Sequence, residues 1–295
     1  MNHVALSFAA HSSRSAVRRN RRLRMQPAEW SRYLVLIITA GFVLYPLIYA
    51  FTVSLMTAEE AGRFPPPLWP ESFYLGNYAR ALELAPIPRF LLNSFIMASA
   101  VTLGQLITCS MAAYAFAFVQ FRGKFVLFTL ILSTMMIPWE VTMIPNYLTI
   151  KSLQWMDSFL GLTVPFLASA FGVFLLRQLF LQLPKELIEA ARIDGCGHGR
   201  IFLQLVLPLG RPALATLGVY TFLNTWNSYL WPLLVTNNKN MRTVQIGITM
   251  LQWEESMSWN LVLAGVCIVL LPSLIMLVLG LKQLVQGITA GAVKG

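Results

Sequence analysis

Apolar residues along this chain gather in long blocks separated by shorter polar connections. Six blocks stand out, at residues 33–56, 91–119, 125–150, 159–180, 212–235 and 261–281. About 20 apolar residues in a helix, rising about 1.5 Å each, cross a hydrocarbon core of about 30 Å. Each block therefore predicts a membrane-spanning helix. Strand-length alternation of apolar and polar positions is absent, which argues against an outer-membrane barrel. The fold class that follows is all-α: a polytopic membrane protein with six transmembrane helices. Pro138, Pro145, Pro165 and Pro272 fall inside blocks, where a proline kinks a helix but is tolerated if neighbours satisfy the freed carbonyls.

Composition sharpens this picture. Apolar residues make up 57% of the 295 positions and charged residues 12%, about half the roughly 25% of a soluble domain. A soluble enzyme, a disordered tail and a disulfide-rich secreted module are all excluded. The net charge of +10 does not argue for nucleic acid, because much of it is local. Arg14, Arg18, Arg19, Arg21, Arg22 and Arg24 precede the first block. If the N-terminus defines one side of the membrane, that side holds 16 Lys and Arg and the other holds 6. The positive-inside rule then makes both termini cytoplasmic. The N-terminal segment is Arg- and Ser-rich, as a transit peptide is, but reads as a basic tail facing anionic lipid and anchoring the first span.

The organisation expected is a basic tail over 1–32, a first span and outer loop over 33–90, a core over 91–281 and a second tail over 282–295. The outer loop contains Pro65, Pro66, Pro67, Trp69 and Pro70, an extended segment at the membrane surface. Trp253 and Trp259 are candidate interfacial anchors. Cys109, Cys196 and Cys267 fit no CxxC spacing, and the histidines are His3, His11 and His198. Neither a disulfide framework nor a metal site is expected. No G-x-x-x-x-G-K-[ST] phosphate loop, HExxH or nucleophile elbow occurs. The chain is therefore expected to bind no cofactor and to catalyse nothing alone.

The informative connection is the cytoplasmic loop 181–209. Pro184 suits the first turn of a helix, and Lys185 to Ile193 is rich in helix formers. Gly195, Gly197 and Gly199 then permit a sharp turn. A second short helix is predicted from Arg200, ending at Pro208. Ala190 and Ala191 are small enough to let another protein's surface approach the first helix closely.

Glu189-Ala190-Ala191, then Gly195, Leu205 and Leu207-Pro208, resembles the EAA loop of bacterial ABC-importer permeases. That family prefers Ile where this chain has Leu205. Leu92-Asn93-Ser94, the stretch from Pro138 to Pro145, and Trp226 through Leu233 are similar to further family segments, in order. The tail from Gly287 to Gly295 is similar to tails in the carbohydrate and glycerol-phosphate branch. Within that branch the chain looks like the six-helix, maltose- and sn-glycerol-3-phosphate-type permease subunits. The resemblance implies a type I permease fold, half of a translocation pathway for a sugar, polyol or sn-glycerol 3-phosphate, in a bacterial inner membrane. It also implies partners: a second permease subunit in a heterodimer, two ATP-binding subunits carrying ATP and Mg, and an extracytoplasmic solute-binding protein. Membrane lipid is the only other contact expected, with no nucleic acid. The residues it makes ATPase-coupling candidates are Glu189, Ala190, Ala191, Asp194, Gly195, Leu205 and Pro208. The competing classes are an ion-coupled secondary transporter and a non-transporting membrane scaffold.

For the solute path, polar residues inside spans are candidates because burying them in lipid is costly. Glu140 is the one acid placed within a block. It either faces a cavity, reaches outer headgroups or pairs with a base on a partner. Asn224, Trp226, Asn227 and Tyr229 lie in the fifth block, with amide and hydroxyl groups that match a polyol. Their other reading is hydrogen bonding between helices, worth about 0.6 kcal/mol on average.

Overall fold

The computed structural model describes residues 27–65, 67–254 and 258–290, with side chains described from Trp30 to Lys282 apart from Pro66 and 252–257. The arginine cluster before the first span, the side chain of Trp253 and Lys294 lie outside them. The described residues contain helices and no strand. In chain order these are α1 (Pro27–Ser54), α2 (Ala58–Ala61), α3 (Gly76–Leu84), α4 (Ile87–Phe118), α5 (Lys124–Thr134), α6 (Trp139–Ser152) and α7 (Phe159–Thr163). There follow α8 (Ala170–Phe180), α9 (Lys185–Ile193), α10 (His198–Ile201), α11 (Leu207–Leu209), α12 (Arg211–Trp226), α13 (Leu230–Val235), α14 (Val244–Glu254) and α15 (Trp259–Ala290).

The chain divides into two compact units, Met1–Tyr49 and Ala50–Gly295. The first contributes most of α1. Its run from Tyr33 to Ile38 is apolar without interruption, so no polar face exists for water, as a lipid-embedded helix requires. Tyr45 and Tyr49 stack one turn apart, ring centres 6.0 Å apart.

In the second unit α4 is the central rod, packed against α8, α12 and α14. Small residues let these helices approach closely. A side chain at Gly172 would meet the Cys109 sulfur at 2.8 Å, and one at Gly104 would meet Leu167. One apolar cluster joins Ala113, Tyr114 and Phe116 of α4 to Leu176 and Phe180 of α8, Ile188 of α9 and Leu217 of α12. Another joins Phe90 to Phe222, Trp226 and Ala264. A third gathers Met97, Ile150, Leu162, Trp231 and Val235.

Three helical stretches, Trp30–Ser54, Ile87–Phe118 and Trp259–Lys282, are long and apolar enough to cross a membrane unbroken. Three bent pairs bring the number to as many as six. The third block, expected as one kinked helix over 125–150, is instead α5 and α6 at 94° to one another. Pro138 caps α6 with extended backbone (φ −57°, ψ 138°), and its ring disfavours helical backbone at the preceding Ile137. The fourth block bends by 46° between Phe166 and Ala170. The fifth, expected as 212–235, stops at Trp226 and resumes as the short α13. Pro232 lacks the N–H that a continuous helix would give the Ser228 carbonyl. Pro145 and Pro272 remain inside helices.

Candidate functional site

The interruptions at 135–138, 167–169 and 227–229 meet at one place, whereas the third bent pair, His198–Leu209 with Arg211–Trp226 at 75°, turns at Gly210 outside that place. A cavity of about 430 Å³ is lined by Trp139 just after the first break, Phe166 and Ser169 at the second, and Asn227, Ser228 and Trp231 at the third. α4 supplies Met97, Val101 and Gln105, and α12 supplies Tyr220, Thr221, Asn224 and Thr225. Backbone and side-chain chemistry lock the breaks together. Pro165 has no N–H for the Gly161 carbonyl four residues earlier, and the Trp231 indole Nε1–H donates to that oxygen instead, at 3.0 Å. Trp139, Phe166 and Trp231 pack ring to ring, with centres 5.1 to 5.7 Å apart.

The cavity wall is polar without charge: none of its lining residues is ionisable except Tyr220. Gln105 links two other segments here. Its amide donates to the Phe166 carbonyl at 2.9 Å and its oxygen accepts from Thr221 at 2.9 Å. The N-terminus of α8, capped by the Ser169 hydroxyl on the Gly172 N–H, also opens here and presents the positive end of a helix dipole.

Of the expected pathway residues, Asn224 and Asn227 line this cavity. Asn227 donates to the Leu223 carbonyl at 2.8 Å, helping to end α12. Trp226 lies elsewhere: it is 2% exposed, stacked on Phe222 and packed in the α4–α14–α15 cluster. Tyr229 is half-buried before α13, outside the cavity lining, and Glu140 is exposed in the first turn of α6. Gln105, Thr221, Ser169 and Trp231 were missed. Gln105 had a signal, as an amide within an apolar block; Trp231 lay in the segment Trp226 through Leu233, but nothing in the sequence set it apart from Trp226.

The loop 181–209 forms a helical hairpin. Pro184 caps α9 and Gly195 turns the chain at φ +76°, a conformation L side chains rarely adopt. Gly197 caps α10 with ordinary extended backbone, and Gly199 is helical. The second limb is longer than expected. It runs from His198 to Leu209 with a wide π turn over Phe202–Val206, and Pro208 sits inside its last turn. Ile188, Ile201 and Val206 are buried against α4, with Ala191 and Leu205 partly so. Glu189, Ala190, Asp194, Gly195 and Pro208 are exposed. Beside them Leu187 is exposed and Ile193 is 87% exposed. Leu187, Ala190 and Ile193, three residues apart, form an uncovered apolar edge that the sequence reading passed over.

Among proteins of known family, residues 104–282 match the binding-protein-dependent transport system inner membrane component family. The chain is 38% identical over 265 residues to the sn-glycerol-3-phosphate transport system permease protein UgpE of Brucella suis, covering 87% of this chain and 94% of that one. The protein of the same description from Pectobacterium atrosepticum is 38% identical over 264 residues, with the same coverage. A solved chain from a bacterial ABC transporter involved in import of the acidic polysaccharide alginate superposes with a TM-score of 0.76 at 24% identity. That match covers 88% of this chain and 98% of the other. The chain therefore belongs to the inner membrane components of binding-protein-dependent transport systems.

Proposed function

We propose that this permease subunit forms one half of the translocation pathway of an ATP-driven importer for sn-glycerol 3-phosphate. The observation that carries the reading is the convergence of three helix interruptions, at 135–138, 167–169 and 227–229, on one cavity of amides, hydroxyls and indole rings. Discontinuous helices are how transporters expose backbone dipoles to solute within a membrane. The hydroxyls and amides of Thr221, Asn224, Thr225, Asn227 and Ser228 suit a glycerol moiety. The N-terminus of α8 offers a phosphate the positive end of a dipole. Relatives at 37–38% identity carry that solute in their description.

The chain hydrolyses no ATP. Two ATP-binding subunits, carrying ATP and Mg, dock on the α9–α10 hairpin, whose apolar edge and flanking Glu189 and Asp194 face outward. A second permease subunit completes the path and an extracytoplasmic binding protein delivers solute. Both termini are cytoplasmic, in keeping with the 16-to-6 division of basic residues. Closure of the ATPase pair moves the hairpins and rocks the spans between inward and outward openings.

A second reading, a neutral sugar or polyol, is favoured by one observation: no charged side chain lines the cavity among the described residues. The test is uptake by the complete complex in proteoliposomes, with labelled sn-glycerol 3-phosphate, glycerol and maltose, with and without ATP. ATP-dependent uptake of the phosphate alone supports the proposal. Uptake of a neutral solute alone selects the second reading, and uptake driven by an ion gradient without ATP overturns both.

A further inference from the structure

The C-terminal end of α4 is held by side chains from three other segments. A helix leaves its last four carbonyls without intrahelical partners. Here the Phe116 carbonyl accepts from Arg177 Nε on α8 at 3.0 Å. The Ala117 and Val119 carbonyls accept from Lys124 Nζ on α5 at 3.4 and 2.9 Å. The Phe118 carbonyl accepts from Arg192 Nη2 on α9 at 3.0 Å. Three cations also complement the negative end of the helix dipole.

The α9 contact has a counterpart on the other limb of the hairpin. His198 Nδ1 of α10 and the Tyr114 hydroxyl of α4 are hydrogen-bonded at 3.0 Å. Tyr114 is buried, and its ring packs against Phe118 and Phe202 at 5.5 and 5.3 Å. Both limbs therefore grip the final turns of α4, from either side of the Gly195 turn. A continuous helix joins that grip to the cavity: Gln105 lies 13 residues earlier on α4, about 20 Å at 1.5 Å per residue. There Gln105 ties α4 to the bend at Phe166 and to α12 through Thr221.

We infer that Arg192 and His198 are positioning residues for transport: they clamp the docking hairpin to the C-terminus of α4, so that hairpin displacement moves Gln105 at the cavity. This rests on the importer reading above. Arg177 and Lys124 cap the neighbouring carbonyls of Phe116, Ala117 and Val119 from elements that do not belong to the hairpin, so they hold the helix end without carrying the displacement.

The experiment measures labelled sn-glycerol 3-phosphate taken up per ATP hydrolysed by the complete complex in proteoliposomes, together with retention of the ATPase subunits through purification. Arg192→Gln should keep the ATPase bound and hydrolysing. Its uptake per ATP should fall at least about fivefold, within the range of about 5- to 150-fold typical of coupling between sites. Arg192→Lys, which keeps a charged donor, should recover part of the loss. Tyr114→Phe, which keeps the ring and removes the hydroxyl, should show a smaller loss of the same kind. Lys124→Gln should lower thermal stability and leave uptake per ATP unchanged. Wild-type uptake per ATP in Arg192→Gln and Tyr114→Phe would overturn the clamp. So would loss of the ATPase from Arg192→Gln, or a loss in Lys124→Gln equal to that in Arg192→Gln. A wild-type complex that imports nothing with ATP would instead sink the importer reading, and this inference with it.

Discussion

The Thr221 hydroxyl donates a 2.9 Å hydrogen bond to the Gln105 side-chain oxygen, joining α12 to α4 across 116 positions of sequence. The Gln105 amide in turn holds the Phe166 carbonyl at the bend of the fourth block. Gln105→Leu keeps the volume and removes both bonds, leaving a hydroxyl and a carbonyl facing the cavity without this partner. Each unmet group in a buried setting costs about 1–3 kcal/mol. Uptake per membrane-inserted protein should fall about tenfold or more in Gln105→Leu and less in Thr221→Val, which removes one bond. Equal, wild-type uptake in both would show that the cavity does not lie on the solute path.

Gly195 turns the hairpin with positive φ, and a Cβ there meets no other atom within 4 Å. The penalty for a side chain is therefore backbone strain alone, about 1–2 kcal/mol. Gly195→Asp and the exposed Glu189→Lys should both leave the chain inserted, abolish uptake and reduce pull-down of the ATPase subunits in parallel. A hairpin that is only solvated surface would tolerate them, since such substitutions usually change stability by less than about 0.5 kcal/mol. Undiminished pull-down and uptake in both variants would contradict docking here.

Asn77 and Asn260 form a buried polar clasp among the ends of α1, α3 and α15. Asn77 donates to the Ser54 and Met56 carbonyls at 2.8 and 2.7 Å and accepts from Asn260 at 2.9 Å. Asn77→Ala removes the donor to both carbonyls and the acceptor for Asn260, leaving the Met56 carbonyl only its long 3.5 Å bond from the Asn260 amide. A loss of about 2–4 kcal/mol is expected from such a network, read as a lowered unfolding temperature of the detergent-solubilised protein. Asn77→Asp should not rescue it, because a carboxylate cannot donate to those carbonyls.

Glu60 provides a pH test. Its carboxylate accepts from the Thr57 N–H at 2.8 Å and the Glu71 N–H at 3.2 Å, in a capping box around α2. These bonds, the Thr57 backbone N–H first, hold its pKa below the ordinary carboxylate range. A depressed folded pKa contributes stability that is present above the unfolded value and lost as pH falls through the folded one. The unfolding temperature of wild type should therefore exceed that of Glu60→Gln at pH 7, and the difference should shrink as pH drops through and below the carboxylate range. A difference that stays constant with pH would mean the ionised form contributes nothing.

Topology can be checked with single cysteines in a background lacking Cys109, Cys196 and Cys267. Leu75→Cys lies in the exposed connection between α2 and α3 and Arg122→Cys in the exposed turn between α4 and α5. A membrane-impermeant maleimide added to intact cells should label the first and not the second. Labelling of position 122 from outside would reverse the orientation.

What the sequence by itself determined was set by local chemistry. Blocks of about 20 apolar residues can only become helices in lipid, since every backbone polar group there needs an internal partner. The hairpin was legible for the same kind of reason: Pro184 starts a helix and Gly195 stops it, whatever surrounds them. Prolines inside the blocks were legible too, but not which of them break a span: Pro138 and Pro165 lie at breaks, Pro145 and Pro272 stay inside helices, and Pro232, beside the third interruption, was not among those singled out. What the tertiary structure alone decided was where those breaks lie relative to one another and which faces they present. Trp226 and Trp231 are five residues apart in one apolar block, yet one is packed beneath α14 and α15 and the other lines the cavity and caps the Gly161 carbonyl. Hydropathy assigns both the same value. Their difference comes from the interruption at 227–229 and from partners on other helices, such as Gly161, 70 residues before Trp231, so it exists only once the helices have packed.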